Sequence, residues 1–292
     1  MFKEGLLKGK RILVTGGGTG LGREIAAKYL ELGAELWIAG RRGAVLESTA
    51  GHLMDKHGGQ VRTHVVDIRD AQAVDAMVQR IWDEAGPLTG LVNNAAGNFV
   101  SPTKDLSPNG FNAIAGIVFH GTFYVTHAVG RRWIAGGHKG SVLSILVTWV
   151  WTGSPYVVPS AMSKAGIHVM TKSLAVEWGK HGIRLNAIAP GPFPTEGAAR
   201  RLSVDGSFED RGAENPMRRI GIMSELQNLA TFLMADGCEW LSGETIALDG
   251  AGYLAHGSGY TGLDRLGEAD WQRLRAQIKA QNEKDRAGRS GA

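Results

Sequence analysis

The chain has 292 residues, with 32 Lys and Arg against 28 Asp and Glu for a formal net charge of +4; its basic residues are spread along the chain, so no stripe marks a nucleic-acid surface. Its 42 glycines cluster at motif-like places and not in a repeat, which excludes collagen-like and disordered chains and leaves a globular enzyme-like composition. The lone Cys238 excludes an internal disulfide framework and predicts a reducing, cytoplasmic setting, while no run reads as a signal peptide or a membrane span and no Cys/His spacing reads as a metal site.

The first elements are a short apolar run, RILVTG (Arg11 to Gly16), a helical pattern, GLGREIAAKYLELG, and a second apolar run, AELWIAG (Ala34 to Gly40). That order is strand, helix, strand. At the first junction, TGGGTGLG spaces Gly16, Gly20 and Gly22 as G-x-x-x-G-x-G directly before the helix. Glycines there let the backbone turn tightly and approach a pyrophosphate, and the free N–H groups of the helix start attract its charge. Thr19 and Leu21 belong to the same cofactor-binding turn. The second strand ends at Arg41 and Arg42, where an NAD site offers Asp or Glu to the ribose hydroxyls. An arginine pairs instead with a 2′-phosphate, which favours NADP(H); the alternative is a pair of solvated loop cations.

VRTHVVDI closes a third strand at Asp67 and Ile68, a helix is predicted over about residues 70–85, and LTGLVNNAAG closes a fourth strand at Asn94, Ala95, Ala96 and Gly97. Both ends fall at the carboxyl edge, where open α/β sheets bind ligands. Asn98 and Phe99 follow, either lining a substrate channel or merely starting the next loop. SVLSIL, a helix over about residues 161–181, IRLNAIAPG with Pro190 and Gly191, and ETIALDG complete the alternation. Seven such strands predict a Rossmann-type, doubly wound, seven-stranded parallel sheet in a single domain, residues 1–252, with helices on both faces. Residues 192–216, rich in Gly, Ser, Asp and Pro, read as a substrate lid. Arg200, Arg201, Arg218 and Arg219 flank it, either to capture a phosphorylated ligand or as solvated surface cations. Residues 253–292 read as an extension with a helix, whose Trp271, Leu274 and Ile278 share one face, and a frayed AGRSGA tail.

TGGGTGLG, NNAAG, the lysine of SAMSK (Ser160 to Lys164) and AIAPGP (Ala187 to Pro192) together resemble the short-chain dehydrogenase/reductase family over about residues 8–252. The resemblance implies a Ser, Tyr, Lys set, usually with an Asn. In it the lysine lowers the tyrosine's pKa and holds the nicotinamide ribose, and the tyrosine exchanges a proton with an alcohol or carbonyl. Aligned on Lys164, this chain carries Ser160 at the tyrosine position, Val147 at the serine position and His120 at the asparagine position. A serine hydroxyl is a far weaker acid than a phenol, whose pKa is about 10, so Ser160 is not expected to protonate a reduced carbonyl.

One branch of the family, the 2,4-dienoyl-CoA reductases, shows the same loss. The chain is similar to it through NNAAGNFVSPTKDLSPNGF (Asn93 to Phe111), VVPSAMSKAG (Val157 to Gly166), LAVEWGKHGIRLNAIAPGPFPTEGA (Leu174 to Ala198) and the Trp-containing C-terminal helix. The resemblance implies an acyl-CoA substrate, NADPH as hydride source, a role of fatty-acid β-oxidation type and a homo-oligomer, often a tetramer. It further implies charge running to the thioester oxygen, where hydrogen-bond donors steady it before solvent protonates carbon. Lys164 then fixes the ribose, Ser160 adds a hydrogen bond to the ligand, and His120 and Trp149 stand in for an Asn and a Tyr donor through their ring N–H groups. Against these roles, His120 reads equally as a satisfied core histidine, and Trp149 and Trp151 as packing aromatics. Tyr156 reads as a wall of the substrate site. A divergent dehydrogenase using His120 as acid or base, and a silent NADP(H)-binding module, remain as other readings.

Overall fold

The computed structural model describes residues 1–195, 210–255, 263 and 265–290. Seven strands, β1 (Arg11–Thr15), β2 (Glu35–Gly40), β3 (Val61–Val65), β4 (Gly90–Asn93), β5 (Gly140–Ile145), β6 (Ile183–Pro190) and β7 (Thr245–Leu248), form one sheet. Their order is β3-β2-β1-β4-β5-β6-β7 and every pairing is parallel. The order reverses between β1 and β4, which opens a crevice at their carboxyl ends.

The central strands β1, β2, β4, β5 and β6 are short, largely apolar runs because both faces are covered, whereas the edge strands β3 and β7 are only partly buried. Side chains alternate between the faces: Ile12, Val14, Leu36 and Ile38 enter one core, and Leu13, Trp37 and Ala39 the other. The first core is roofed by α1 (Gly20–Glu31), α2 (Gly43–His57) and, far along the chain, a helix at Met223–Met234; the second by α3 (Ala71–Ala85), a helix at Thr122–Gly136 and one at Val158–Gly179. Asp70 caps α3, its carboxylate accepting from the N–H groups of Gln72 (2.9 Å) and Ala73 (3.0 Å).

After β4 come α4 (Pro108–Ala115), one π-helical turn (Gly116–Gly121) and α5 (Thr122–Gly136). Together they run as one helical path of 29 residues that is apolar enough, by length and composition, to cross a membrane. This corrects the expectation that nothing in the chain reaches that length. The path is the core helix of this domain, since Val125, Val129 and Trp133 are fully buried. α6 (Trp149–Thr152) follows β5, and α7 (Val158–Gly179) begins three residues earlier than the sequence pattern predicts. Pro159 sits in its first turn, where a missing N–H costs nothing, so Ser160 is already helical.

Beyond β6, residues 196–209 of the expected lid, including Arg200 and Arg201, lie outside the described residues. The flanks are tied: Gly221 N donates to Pro192 O at 3.0 Å, and Asn215 Nδ2 to Asp249 O at 2.7 Å. α8 (Asp210–Ala213), α9 (Met223–Met234) and the short α10 (Gly252–Ala255) complete the described helices up to there. Met1–Tyr253 forms one compact unit and Leu254–Ala292 a second. The second holds α11 (Glu268–Ser290), which continues into the AGRSGA segment; residues 291–292 lie outside the described residues.

Candidate active site

The glycine turn is built by close approach. Gly16 has φ +65° and Gly20 φ +57°, conformations that L side chains rarely adopt. A Cβ on Gly16 would lie 2.9 Å from Ala95 Cα, so the turn after β1 rests directly on the loop after β4. Asn94 staples the two: its Nδ2 donates to Thr15 O (3.1 Å) and Gly16 O (3.2 Å), and Thr15 Oγ1 accepts from Asn94 N (3.1 Å) and Ala95 N (3.2 Å). Asn94, read from sequence as a ligand contact, therefore spends its side chain holding the turn. Gly22 has the same logic, since a Cβ there would meet Gly16 O at 2.6 Å. Thr19 is the extended N-cap residue of α1 and makes no side-chain cap, which leaves the helix start open to an anion.

Above this turn lies a cavity of about 900 Å³ lined by Gly16, Thr19, Gly20, Arg41, Arg42, Asp67, Ile68, Asn94, Ala95 and Ala96. Ten residues predicted from four separate strand ends thus meet around one space, of the size that binds small-molecule cofactors (about 300–1,000 Å³). Leu21, Gly22, Gly97, Pro190 and Gly191 are not among its walls. Arg41 and Arg42 are exposed at the rim. Asp67 is gripped by Arg69, whose Nε lies 3.0 and 2.9 Å from the two carboxylate oxygens and whose Nη2 lies 2.6 Å from one of them. That hydrogen bonding, outweighing partial desolvation, lowers the Asp67 pKa. Sequence reasoning missed Arg23, Ile117, Thr195 and Met223, which also line the space. Arg23 sits on the first turn of the glycine helix and was findable there; the other three come from distant segments with no local signal.

The lysine helix supplies the second part. Lys164 is 7% exposed, and its ammonium donates to Ile145 O at the end of β5. Burial lowers its pKa from 10.5 to about 8. Ser160, one turn earlier, is buried as well. Neither lines the cavity just described.

The third part is a set of substrate-side candidates. His120 is exposed on the π-turn, which removes the reading of a satisfied core histidine; its ring lies 5.4 Å from that of Phe119 and 6.1 Å from that of Tyr124. Trp149 is half-buried at the start of α6. Trp151, two residues on, stacks on Tyr253 at 5.0 Å and meets His168 edge-on at 5.9 Å. Tyr156 is exposed with φ +64°, and its carbonyl accepts from Ser101 N at 2.9 Å, joining the loop before α7 to the loop that carries Asn98 and Phe99. Asn98 Oδ1 accepts from Phe99 N at 2.9 Å. Among the described residues, no group of His, Cys, Asp and Glu could hold a metal ion.

A family model described as Enoyl-(Acyl carrier protein) reductase matches residues 16–253. A Caenorhabditis elegans protein named probable 2,4-dienoyl-CoA reductase 3, (3E)-enoyl-CoA-producing, is 44% identical over 88% of this chain and 85% of its own. A Bacillus subtilis protein named probable 2,4-dienoyl-CoA reductase, (2E)-enoyl-CoA-producing, is 38% identical over 84% of this chain and 97% of its own. Among solved structures, gluconate 5-dehydrogenase of Burkholderia cenocepacia in complex with NADP and tartrate superposes with a TM-score of 0.78 at 30% identity, covering 84% of this chain and 95% of its own.

Proposed function

Because this chain belongs to the short-chain dehydrogenase/reductase family and is an NAD(P)-dependent oxidoreductase, we propose that it reduces 2,4-dienoyl-CoA thioesters with NADPH. The observation that carries this reading is a kept, buried Lys164 beside a buried Ser160 at the position where the family's proton-donating tyrosine stands. The two dienoyl-CoA reductase relatives support the substrate class, and their names differ in the product's double bond.

The residues fit a phosphorylated dinucleotide. The Gly16–Gly20 turn leaves a cradle that side chains would fill, the start of α1 offers free N–H groups, and two arginines stand at the end of β2. Arg41 and Arg42 suit a 2′-phosphate, which favours NADP(H). When bound, NADPH supplies the hydride. Lys164, with three N–H donors of which one goes to Ile145 O, keeps others for the ribose hydroxyls. Ser160 adds a hydroxyl that hydrogen-bonds without ionising.

Reduction at the far carbon of a dienoyl thioester makes no alcohol, so no phenol is required to protonate one. Negative charge gathers on the thioester oxygen, and neutral N–H donors suffice to steady it. His120 and Trp149 are assigned that task through their imidazole and indole N–H groups. An aimed donor of this kind is worth about 10²–10³ in kcat.

Outward apolar stripes, Phe119 and Phe123 on the π-turn and α5, and Met162, Val169 and Val176 on α7, support a homo-oligomer, read as a tetramer. The single Cys238 supports a reducing, cytoplasmic setting, and the substrate class supports a role in fatty-acid β-oxidation. The test is NADPH consumption with 2,4-hexadienoyl-CoA beside a panel of ketones. Thioester turnover is expected, falling about 10²-fold in kcat in His120→Ala and in Trp149→Phe, with NADPH affinity little changed. Ketone turnover without thioester turnover would refute the proposal and favour His120 as an acid or base.

A further inference from the structure

The π-turn Gly116–Gly121 interrupts an otherwise regular helical path. Such turns are rare and are frequent at functional sites, because the wider ring is held only where neighbours fill and brace it. Three neighbours brace this one. Gly121 is seated on the end of the β3 segment: a Cβ there would lie 2.6 Å from Ile68 Cγ1 and 3.1 Å from Ile68 O, and one on Gly116 would lie 3.4 Å from Arg69 Cδ. Ile117 lines the cofactor cavity, and its Cδ1 is 3.4 Å from where a Cβ on Gly97 would stand. On the far side the Phe119 ring covers Gly166, two residues past Lys164, at a distance of 2.5 Å from a Cβ placed there. The same Phe119 ring meets the His120 ring edge-on at 77°. One turn therefore touches the cofactor cavity, the segment closing β3, the loop after β4 and the lysine helix, and it displays His120.

We infer that this π-turn carries cofactor occupancy to His120, with Ile117 as the positioning residue. The tight seat of Gly121 on Ile68 and the Phe119 ring lodged over Gly166 leave little slack to absorb a push on Ile117, and packed interiors respond by shifting as a body instead of deforming smoothly. A dinucleotide pressing on Ile117 thus moves the turn, the Phe119 ring and His120 together. The donor role of His120 rests on the function proposed above; the response of His120 to cofactor does not. A cofactor that brings His120 to the thioester tightens thioester binding, and because coupling is reciprocal the thioester tightens cofactor binding by the same factor.

The test uses the full chain with ¹³C-labelled histidine, the His120 signal being assigned by His120→Gln. Titrating NADP⁺ is expected to move that signal in the natural protein. At saturating NADP⁺ the movement is lost in Ile117→Ala and kept in Ile117→Val, which retains a branched side chain at the contact. A His120 signal that NADP⁺ does not move, or moves equally in Ile117→Ala, overturns the proposal. In a second arm NADP⁺ tightens 2,4-hexadienoyl-CoA binding about five-fold or more in the natural protein and less than about two-fold in Ile117→Ala. If hexadienoyl-CoA does not bind while the His120 signal still responds, the dienoyl-CoA reading falls and the coupling stands.

Discussion

Replacing Lys164 by Met makes a sharp demand on the physics of the site. Met is an unbranched side chain one heavy atom shorter than Lys, and it removes the charge. In the ligand-free protein the ammonium is buried against the end of β5, and burial alone holds its pKa at about 8 against an ordinary 10.5. At about 1.4 kcal/mol per pH unit, that depression means the charged form costs the folded state about 3 kcal/mol. The sign follows from proton counts. Below pH 8 both folded and unfolded chains carry the proton, so the whole cost is present. Between about pH 8 and 10.5 the unfolded chain binds more protons than the folded one, and stability rises with pH; above 10.5 both are neutral and the cost is gone. Urea unfolding of cofactor-free protein is expected to show the natural protein gaining stability relative to Lys164→Met as pH rises through that window, the variant's advantage at pH 7 being about 3 kcal/mol less the cost of about 1–3 kcal/mol for leaving Ile145 O without its donor. Thioester reduction is expected to be lost in the same variant. A stability difference that does not change between about pH 8 and 10.5 would refute the claim that the lysine sits there at a cost in stability for the sake of function.

Two other substitutions test the cofactor cradle. Asn94→Ala removes both donors to Thr15 O and Gly16 O; destabilisation of about 1–3 kcal/mol in urea unfolding is expected, together with weaker NADPH binding, because Gly16 is no longer pinned at positive φ. Arg41→Ser removes one cation at the ribose end; NADPH affinity measured by nucleotide fluorescence is expected to fall about ten-fold or more, as loss of a charge-assisted hydrogen bond of about 1.5–3 kcal/mol requires, with NADH little affected. Equal loss for both nucleotides would remove the 2′-phosphate from the picture.

The seven strands, the glycine turn and the lysine are legible in the sequence, because each is encoded locally. A strand buried on both faces reads as a short apolar run, as RILVT does, and a tight approach to a helix start demands glycine at Gly16 and Gly20 whatever lies around it. Arg41, Asp67 and Asn94 were found by the same logic, as residues just past strand ends. What each side chain does there was not legible. Asn94 braces the turn and Asp67 is held by Arg69, since side-chain partners depend on which loops the sheet order brings together.

Sequence alone determined that a dinucleotide-type cradle follows β1 and that the family's phenol is missing, because both are statements about residue type at a fixed spacing. Tertiary structure decided that Lys164 is buried, that His120 is exposed, and that Ile117, Thr195 and Met223 wall the cavity above the glycine turn. It also decided that the chain widens into a π-turn at Gly116–Gly121. That turn is a one-residue shift in helical register with no mark in composition, held by contacts with Ile68, Gly97 and Gly166 that lie about 20 to 50 residues away along the chain. Pattern in sequence reports the short-range geometry of a backbone; contacts made across such separations exist only once the whole sheet has assembled.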